Sequence, residues 1–408
     1  MKVNKWTLGL AALGLITIPA TGSAEEKMSQ LWTALSSTTI SGYVNSSAHW
    51  NLGTGNGRTP AVSYNGSSKQ DGFNMNVVKL SIEKPLDEAQ WAAGYKVDLL
   101  FGPDASTFAT SLDNNAVSGG DSSPAAIKQA YVNLRAPIGN GLDFKVGVFD
   151  TIIGYEVFDS GSNPNYLRSY GFTIEPTTHT GILGTYQIAK WASASFGIAN
   201  TFGPSISQKA DTGGLHAESF KTYMGSVTLT APEEFGPIAG SAFYFGVING
   251  LSSTSSGNAD QTSWYVGATF NATTKLKFGA SFDYLGTTDK YGAGESYVNA
   301  WALYSSFQAT EKLSLHFRGE YATTDTTAFG DAANLTGGNS EIFALTSTLQ
   351  YDIWQNVLSR FEIRWDHQAG DGDQTGFGGT PAGTGGGGGT TGHKRNNVLF
   401  AANLIYKF

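Results

Sequence analysis

From residue 39 to residue 408 the chain repeats segments in which apolar and polar side chains alternate, and in the charged segment 356–367 every charge falls on one parity. In 311–324, Leu313, Leu315, Phe317 and Tyr321 alternate with Ser314, His316, Arg318 and Glu320. In 356–367, Phe361, Ile363 and Trp365 alternate with Arg360, Glu362, Arg364 and Asp366. Segment 91–101 sets Tyr95, Val97 and Leu99 against Lys96 and Asp98, and 274–286 sets Leu276, Phe278 and Phe282 against Lys275, Lys277 and Asp283. A period of two is the period of a strand, so each segment has two faces meant for different surroundings. Segment 295–307 is apolar on both parities, and no register follows for it.

Sixteen such segments are expected, at 39–50, 75–84, 91–101, 126–136, 141–150, 178–188, 191–202, 219–230, 238–250, 261–271, 274–286, 295–307, 311–324, 340–351, 356–367 and 397–408. About ten residues is what a tilted strand needs to cross a bilayer. The connections alternate: the longer ones, 51–74, 102–125, 151–177, 203–218, 251–260, 287–294, 325–339 and 368–396, are separated by tight ones such as Ala189-Lys190 and Ala272-Thr273. An even count with alternating loop lengths predicts an all-β fold, a transmembrane antiparallel up-and-down β-barrel with long extracellular loops and short periplasmic turns.

Periodicity does not distinguish inside from outside, and a soluble barrel or sandwich would bury the apolar parity. Three other features put it against lipid. Lys2 and Lys5 precede the apolar run 6–18 and then Ser23-Ala24, which resembles a secretory signal peptide over 1–24 with cleavage before Glu25. The run is too short to span a membrane as a helix, and no later run approaches twenty apolar residues. Composition agrees: charged residues are only 14%, while the chain holds 52 Gly, 9 Trp, 18 Tyr and 24 Phe, as interfacial girdles and glycine-rich loops require. In 397–408, finally, Val398, Phe400, Ala402, Leu404, Tyr406 and Phe408 share one parity. This stretch resembles the closing strand of bacterial outer-membrane barrels, where a terminal Phe presents the strand to the insertion machinery. Residues 25–38 are left as a periplasmic lead, and 39–408 as the barrel.

The same features exclude other classes. With 25 basic against 33 acidic residues the chain has no clustered positive field for nucleic acid, and with no cysteine it has no disulfide framework. The histidines (His49, His179, His216, His316, His367, His393) are scattered, with no pair at i, i+4 spacing and no Gly-x-Ser-x-Gly motif, so neither a metal site nor a hydrolase is expected. Asp371 and Asp373 lack the acidic residues of a calcium loop, the glycine run 385–389 suits a solvated tip, and no cofactor is implied.

Several stretches carry a more specific likeness. Residues 79–85 (KLSIEKP), 101–105 (FGPDA), 129–132 (QAYV), 147–151 (GVFDT), 154–156 (GYE), 163–166 (NPNY) and 179–181 (HTG) resemble the β-barrel outer-membrane porins of the OmpL-like group. The likeness is dense from about residue 73 to 185 and is one of strand rhythm beyond. It implies an outer-membrane barrel of a Gram-negative-type bacterium with porin activity and brings no established substrate and no catalytic residue; the homotrimer that many sixteen-stranded porins adopt stays open at this point.

The expected function is a passive diffusion channel for small hydrophilic solutes or ions, with a structural or adhesive plugged barrel and an outer-membrane hydrolase as alternatives. Its lumen would be lined by Lys96, Asp98, Lys275, Lys277, Asp283, His316, Arg318, Glu320, Arg360, Glu362, Arg364 and Asp366. Arg318, Arg360 and Arg364 are expected to face water, so that their loss would alter selectivity more than stability. The third long loop, 151–177, has aromatics and prolines in place of a glycine run, and Tyr155, Phe158, Tyr166 and Tyr170 would pack it inward as the constriction. Its Glu156, Asp159 and Glu175 against Arg168 would favour cations.

Tyr406 and Phe408 are the expected barrel-assembly signal. Deleting Phe408 should lower the yield of heat-modifiable barrel in the outer-membrane fraction while export stays intact, as measured by gel shift of unheated samples.

Overall fold

The structure, a computed structural model, describes residues 37–52, 72–107, 125–204, 206, 208–210, 220–251, 260–288, 295–324, 340–369 and 395–408. The expected signal peptide 1–24, the lead up to residue 36, the Asp371/Asp373 pair and the run 385–389 lie outside these residues. So do His216 and His393.

Sixteen antiparallel strands close into one barrel in sequence order. They are β1 (Thr39–Asn51), β2 (Gly72–Lys84), β3 (Ala93–Phe101), β4 (Ala125–Ala136), β5 (Leu142–Asp150), β6 (Thr178–Ala189), β7 (Ala192–Ala199), β8 (Thr222–Thr230), β9 (Ala242–Leu251), β10 (Asp260–Asn271), β11 (Leu276–Thr288), β12 (Ser296–Gln308), β13 (Leu313–Thr324), β14 (Ser340–Trp354), β15 (Val357–Gln368) and β16 (Asn396–Lys407). Closure removes every free sheet edge, the condition for strands to sit in hydrocarbon. β1 and β16 make the seam, from Tyr43 opposite Lys407 to Asn51 opposite Leu399. Phe408 extends it: its N–H and C=O bond Gly42 at 3.0 and 2.9 Å. Its ring covers Gly42, where a Cβ would stand 2.7 Å from that ring and 2.1 Å from the Lys79 carbonyl. Only glycine fits there.

The parity expected from charge is the parity observed. Trp301, Leu345, Phe317 and Phe361 are 54, 57, 52 and 47% exposed, whereas Arg318, Arg364 and Glu362 are 1, 1 and 0% exposed. Segment 295–307 now has a register: Tyr297, Trp301, Leu303 and Phe307 are exposed, while Val298, Ala300, Ala302 and Tyr304 are buried. Its other face is apolar because it packs against protein. Val298 and Ala300 belong to a buried cluster with Ala322, Ile342, Tyr170 and Ile174.

Several strand boundaries differ from expectation by a few residues, as at β7, β8 and β9, and three local features stand out. β4 carries a bulge, with Asp98 opposite Gln129 and Leu99 opposite Ile127, so Lys128 and Gln129 are both buried. The β6–β7 connection is Lys190-Trp191, and the one before β11 runs 272–275. Lys275 therefore sits in a turn, where it was expected in a strand.

The outward register of β12 has a direct test. Leu303→Arg should destabilise the barrel by about 2–4 kcal/mol if residue 303 lies near the bilayer midplane, against little for Leu303→Phe, as read by urea unfolding in lipid vesicles.

Candidate functional site

Residues 151–177 join β5 to β6 and build their own small fold. Their ends are pinned where Thr151 N–H donates to the Thr177 carbonyl at 3.0 Å. The Asn163 side chain staples the turn before it, accepting from Val157 N–H at 2.8 Å and donating to the Val157 carbonyl at 2.6 Å. Ser169 caps a one-turn helix, α1 (Tyr170–Ile174), its hydroxyl accepting from Phe172 N–H at 3.1 Å. The Arg168 guanidinium lies 5.2 Å from the Phe172 ring and donates to the Phe158 carbonyl at 2.6 Å.

This segment touches strands from all round the closed sheet. Ile153 occupies the notch over Gly246 of β9, and Tyr155 lies over Gly279 of β11, where a Cβ would meet its hydroxyl at 1.9 Å. The Tyr155 ring stacks on Tyr304 of β12 at 4.0 Å. Phe158 joins an apolar cluster with Leu100, Ala126 and Ile405, and Tyr166 and Leu167 join Leu399 and Ala401 of β16. The Tyr166 hydroxyl is 3.0 Å from His49 Nε2 of β1, and Asn165 donates to Thr348 Oγ1 of β14 at 2.7 Å.

The charged face of β13 and β15 meets the backbone of the same segment. Arg318 donates to the carbonyls of Leu167 and Arg168 at 2.7 and 3.1 Å, Arg364 to that of Arg168 at 2.8 Å, and Arg360 to those of Asn165 and Ser160 at 3.0 and 2.7 Å. The acids complete the pattern. Glu362 accepts from the N–H groups of Tyr166 and Leu167 at 2.7 and 2.8 Å, and Glu320 from that of Tyr170 at 2.8 Å. Asp366 accepts from the Tyr170 hydroxyl at 2.7 Å. Between them run ion pairs, Arg318 to Glu156 at 2.7 Å and to Glu320 at 2.9 Å, and Arg364 to Glu320 at 3.3 Å and to Asp366 at 2.9 Å. The expectation that the three arginines face water is thus overturned: the loop backbone covers them.

A second charged group occupies β2 to β5. Lys79 bridges Asp98 at 3.1 Å and Asp159 at 2.8 Å, Lys96 pairs with Glu83 at 3.0 Å, and Lys128 pairs with Asp150. Burial alone would raise the Asp159 carboxyl, but the Lys128 and Lys79 ammonium groups outweigh it and hold it below the ordinary aspartate range. Glu175 is different: burial, reinforced by the Asp283 carboxyl beside it, pushes it well above the ordinary glutamate range. Of the three loop carboxyls expected to bias the constriction toward cations, Glu156 and Asp159 are neutralised by Arg318 and Lys79, and Glu175 is driven toward its neutral form. Arg168 is buried within the segment.

The remaining expected residues divide. Lys96, Asp98 and Asp283 lie on the inward parity; Lys275, Lys277 and His316 line a cavity of about 430 Å³ between the tip of the loop and β10–β14. His316 Nδ1 is 2.8 Å from Ser306 Oγ. Tyr406 and Phe408 are half exposed on the outer face. Lys79, Lys128, Thr348 and Tyr304 were missed. Lys79 alternates correctly and was legible from parity; Lys128 was hidden by the bulge.

The family model described as "Putative beta-barrel porin-2, OmpL-like" matches residues 37–408. Among solved structures, the outer membrane channel DcaP of Acinetobacter baumannii has a TM-score of 0.56 at 13% identity, covering 91% of this chain and 97% of that one. An anion-selective porin from Comamonas acidovorans gives 0.55 at 13%, covering 91% and 99%. In-vitro folded OmpT of Vibrio cholerae in its trimer form gives 0.53 at 12%, covering 91% and 99%. No curated protein matches the chain.

Removing one member of a buried charge network leaves the others unpaired, so Arg318→Met should cost about 3–5 kcal/mol. Arg318→Met together with Glu156→Gln and Glu320→Gln should recover part of that loss. Unfolding midpoints of the refolded variants measure both.

Proposed function

The chain belongs to the beta-barrel porin-2, OmpL-like family, and from that premise we propose that it is an outer-membrane porin whose third loop folds into the lumen and narrows it. One observation carries the loop reading. Residues 151–177 contact β1 and β2, β9 and β11, and β13 to β16. A single segment reaches all of these strands only by crossing the interior.

The passage left beside the loop would follow the polar inner parity of β2 to β8. There Glu83, Lys96, Lys145, Thr185, Ser195 and Ser226 are half-buried, opposite in parity to exposed residues such as Val146, Ile182 and Phe196. Such a wall suits small hydrophilic solutes, sorted by size and by the field of its charges. Because Glu156 and Asp159 are paired with Arg318 and Lys79 and burial pushes Glu175 upward, the cation preference inferred from the loop's net charge loses its support. Assembly as a homotrimer fits the trimer form of the Vibrio cholerae protein. A plugged barrel is the second reading, favoured by the extent to which the loop is packed.

Asn165→Cys with Thr348→Cys tests the two halves separately, because the chain has no cysteine of its own. The pair should oxidise in the folded barrel and leave single-channel conductance in planar bilayers unchanged. Absence of the disulfide would reject the loop placement; absence of conductance steps in the unmodified protein would favour the plugged barrel.

A further inference from the structure

The turns before β11 and β13 are built from one local pattern. Asn271-Ala272-Thr273-Thr274-Lys275-Leu276 and Gln308-Ala309-Thr310-Glu311-Lys312-Leu313 correspond residue by residue. In each, the first threonine hydroxyl accepts from the N–H groups two and three residues on, at 3.1 and 2.9 Å for Thr273 and 3.3 and 3.1 Å for Thr310. In each, the alanine N–H donates to the leucine carbonyl, at 3.0 and 2.9 Å. This hydroxyl-closed turn sets a lysine at the same place on two hairpins.

Those lysines line two cavities that share Gly161 and Gln350. Lys275 and Lys277 line the one of about 430 Å³ already described; Lys312 and Lys407 line another of about 610 Å³ beside the β14–β15 turn. Asp352 is the one carboxylate among their lining residues, and Glu311 lies in the turn without lining either. The loop tip, Gly161 to Pro164, roofs the first cavity, and Lys407 donates to the Gly161 carbonyl at 3.3 Å.

On β2, β3 and β4, Lys79, Lys96 and Lys128 each hold a carboxylate. The ammonium groups of Lys275, Lys277 and Lys312 hold none among the described residues. A fold that pairs those three with carboxylates, and uses one turn design to present Lys275 and Lys312, leaves positive charge facing an open cavity. Surface lysines on turns are ordinarily solvated. These three are exposed as well, but they line adjoining concave cavities whose lining includes a single carboxylate, so that their fields add there.

We propose that these two adjoining turn-side cavities form a vestibule that binds small solutes carrying a phosphate or carboxylate, held by Lys275 and Lys277 beneath the loop tip and by Lys312 beside them. Its place in transport rests on the porin reading above; the binding itself does not.

The test uses the full folded protein and inorganic phosphate. In planar bilayers of neutral lipid, phosphate on the turn side should block the current, and the block should weaken as ionic strength rises. The Lys275→Gln/Lys277→Gln/Lys312→Gln variant should lose the block at least tenfold and shift its reversal potential toward cations, while the triple Lys→Arg variant keeps both. Unchanged block in the glutamine variant overturns the proposal. If the protein gives no conductance, the porin reading fails, and phosphorus NMR titration of the folded protein in neutral detergent decides the site. Line broadening that the glutamine variant abolishes supports the site, and no broadening overturns it. If the lysines matter only for insertion into vesicles of anionic lipid, they serve headgroups and the proposal falls. Should the triple variant not fold, the three single glutamine variants carry the same measurement.

Discussion

A charge moved out of water must find partners, and in this barrel the partners of the β13–β15 charges are the backbone groups of one loop. Arg318, Arg360 and Arg364 donate to loop carbonyls while Glu320 and Glu362 accept from loop N–H groups. The dependence runs both ways. The loop is an irregular segment whose peptide groups would be unsatisfied inside a barrel, and the wall is a charged face that could not stay dry alone. Neither half is reasonable without the other, so the interior arrangement is cooperative in the sense that applies to any buried polar network.

The apolar contacts of the loop have a different role. Tyr166 and Leu167 against Leu399 and Ala401, and Ile174 against Val298 and Ala300, add burial without direction. They make dry the region in which the hydrogen bonds are formed, and each of those bonds gains from the low dielectric around it. Glycines supply the fit where aromatic side chains come closest, as at Gly279 under Tyr155.

Much of the fold was legible because a bilayer enforces alternation: a charge on the wrong parity is costly, so parity reveals the faces. It failed where the inner face meets protein instead of water. β12 places Val298 and Ala300 inward against α1, with Ala302 buried beside them, so both of its faces are apolar and alternation carries no sign. The same cause reversed the expectation for the arginines, since periodicity tells which way Arg318 points and not whether water or a loop waits there. Aromatic and proline content picked out residues 151–177, but net charge was a poor guide to their field, because the compensating cations, Lys79 and Arg318, come from strands far away in the chain. Lys128 depended on a bulge, and no rule of alternation anticipates an extra residue.

The distances along the chain matter for how such a molecule comes together. Tyr166 and Leu167 meet Glu362 across 196 and 195 residues, and Arg360 meets Ser160 across 200. Contacts of that span repay their chain-closure entropy only once the intervening sheet exists. The loop also reaches β1, which finds its neighbour β16 only when the seam shuts. The docked loop is therefore a late event that reports on completion of the cylinder. A barrel short of its last strands would leave Tyr166 and Leu167 without Leu399 and Ala401, and such a misassembled intermediate would stay open in its middle, distinguishable from the finished product by what its centre fails to hold.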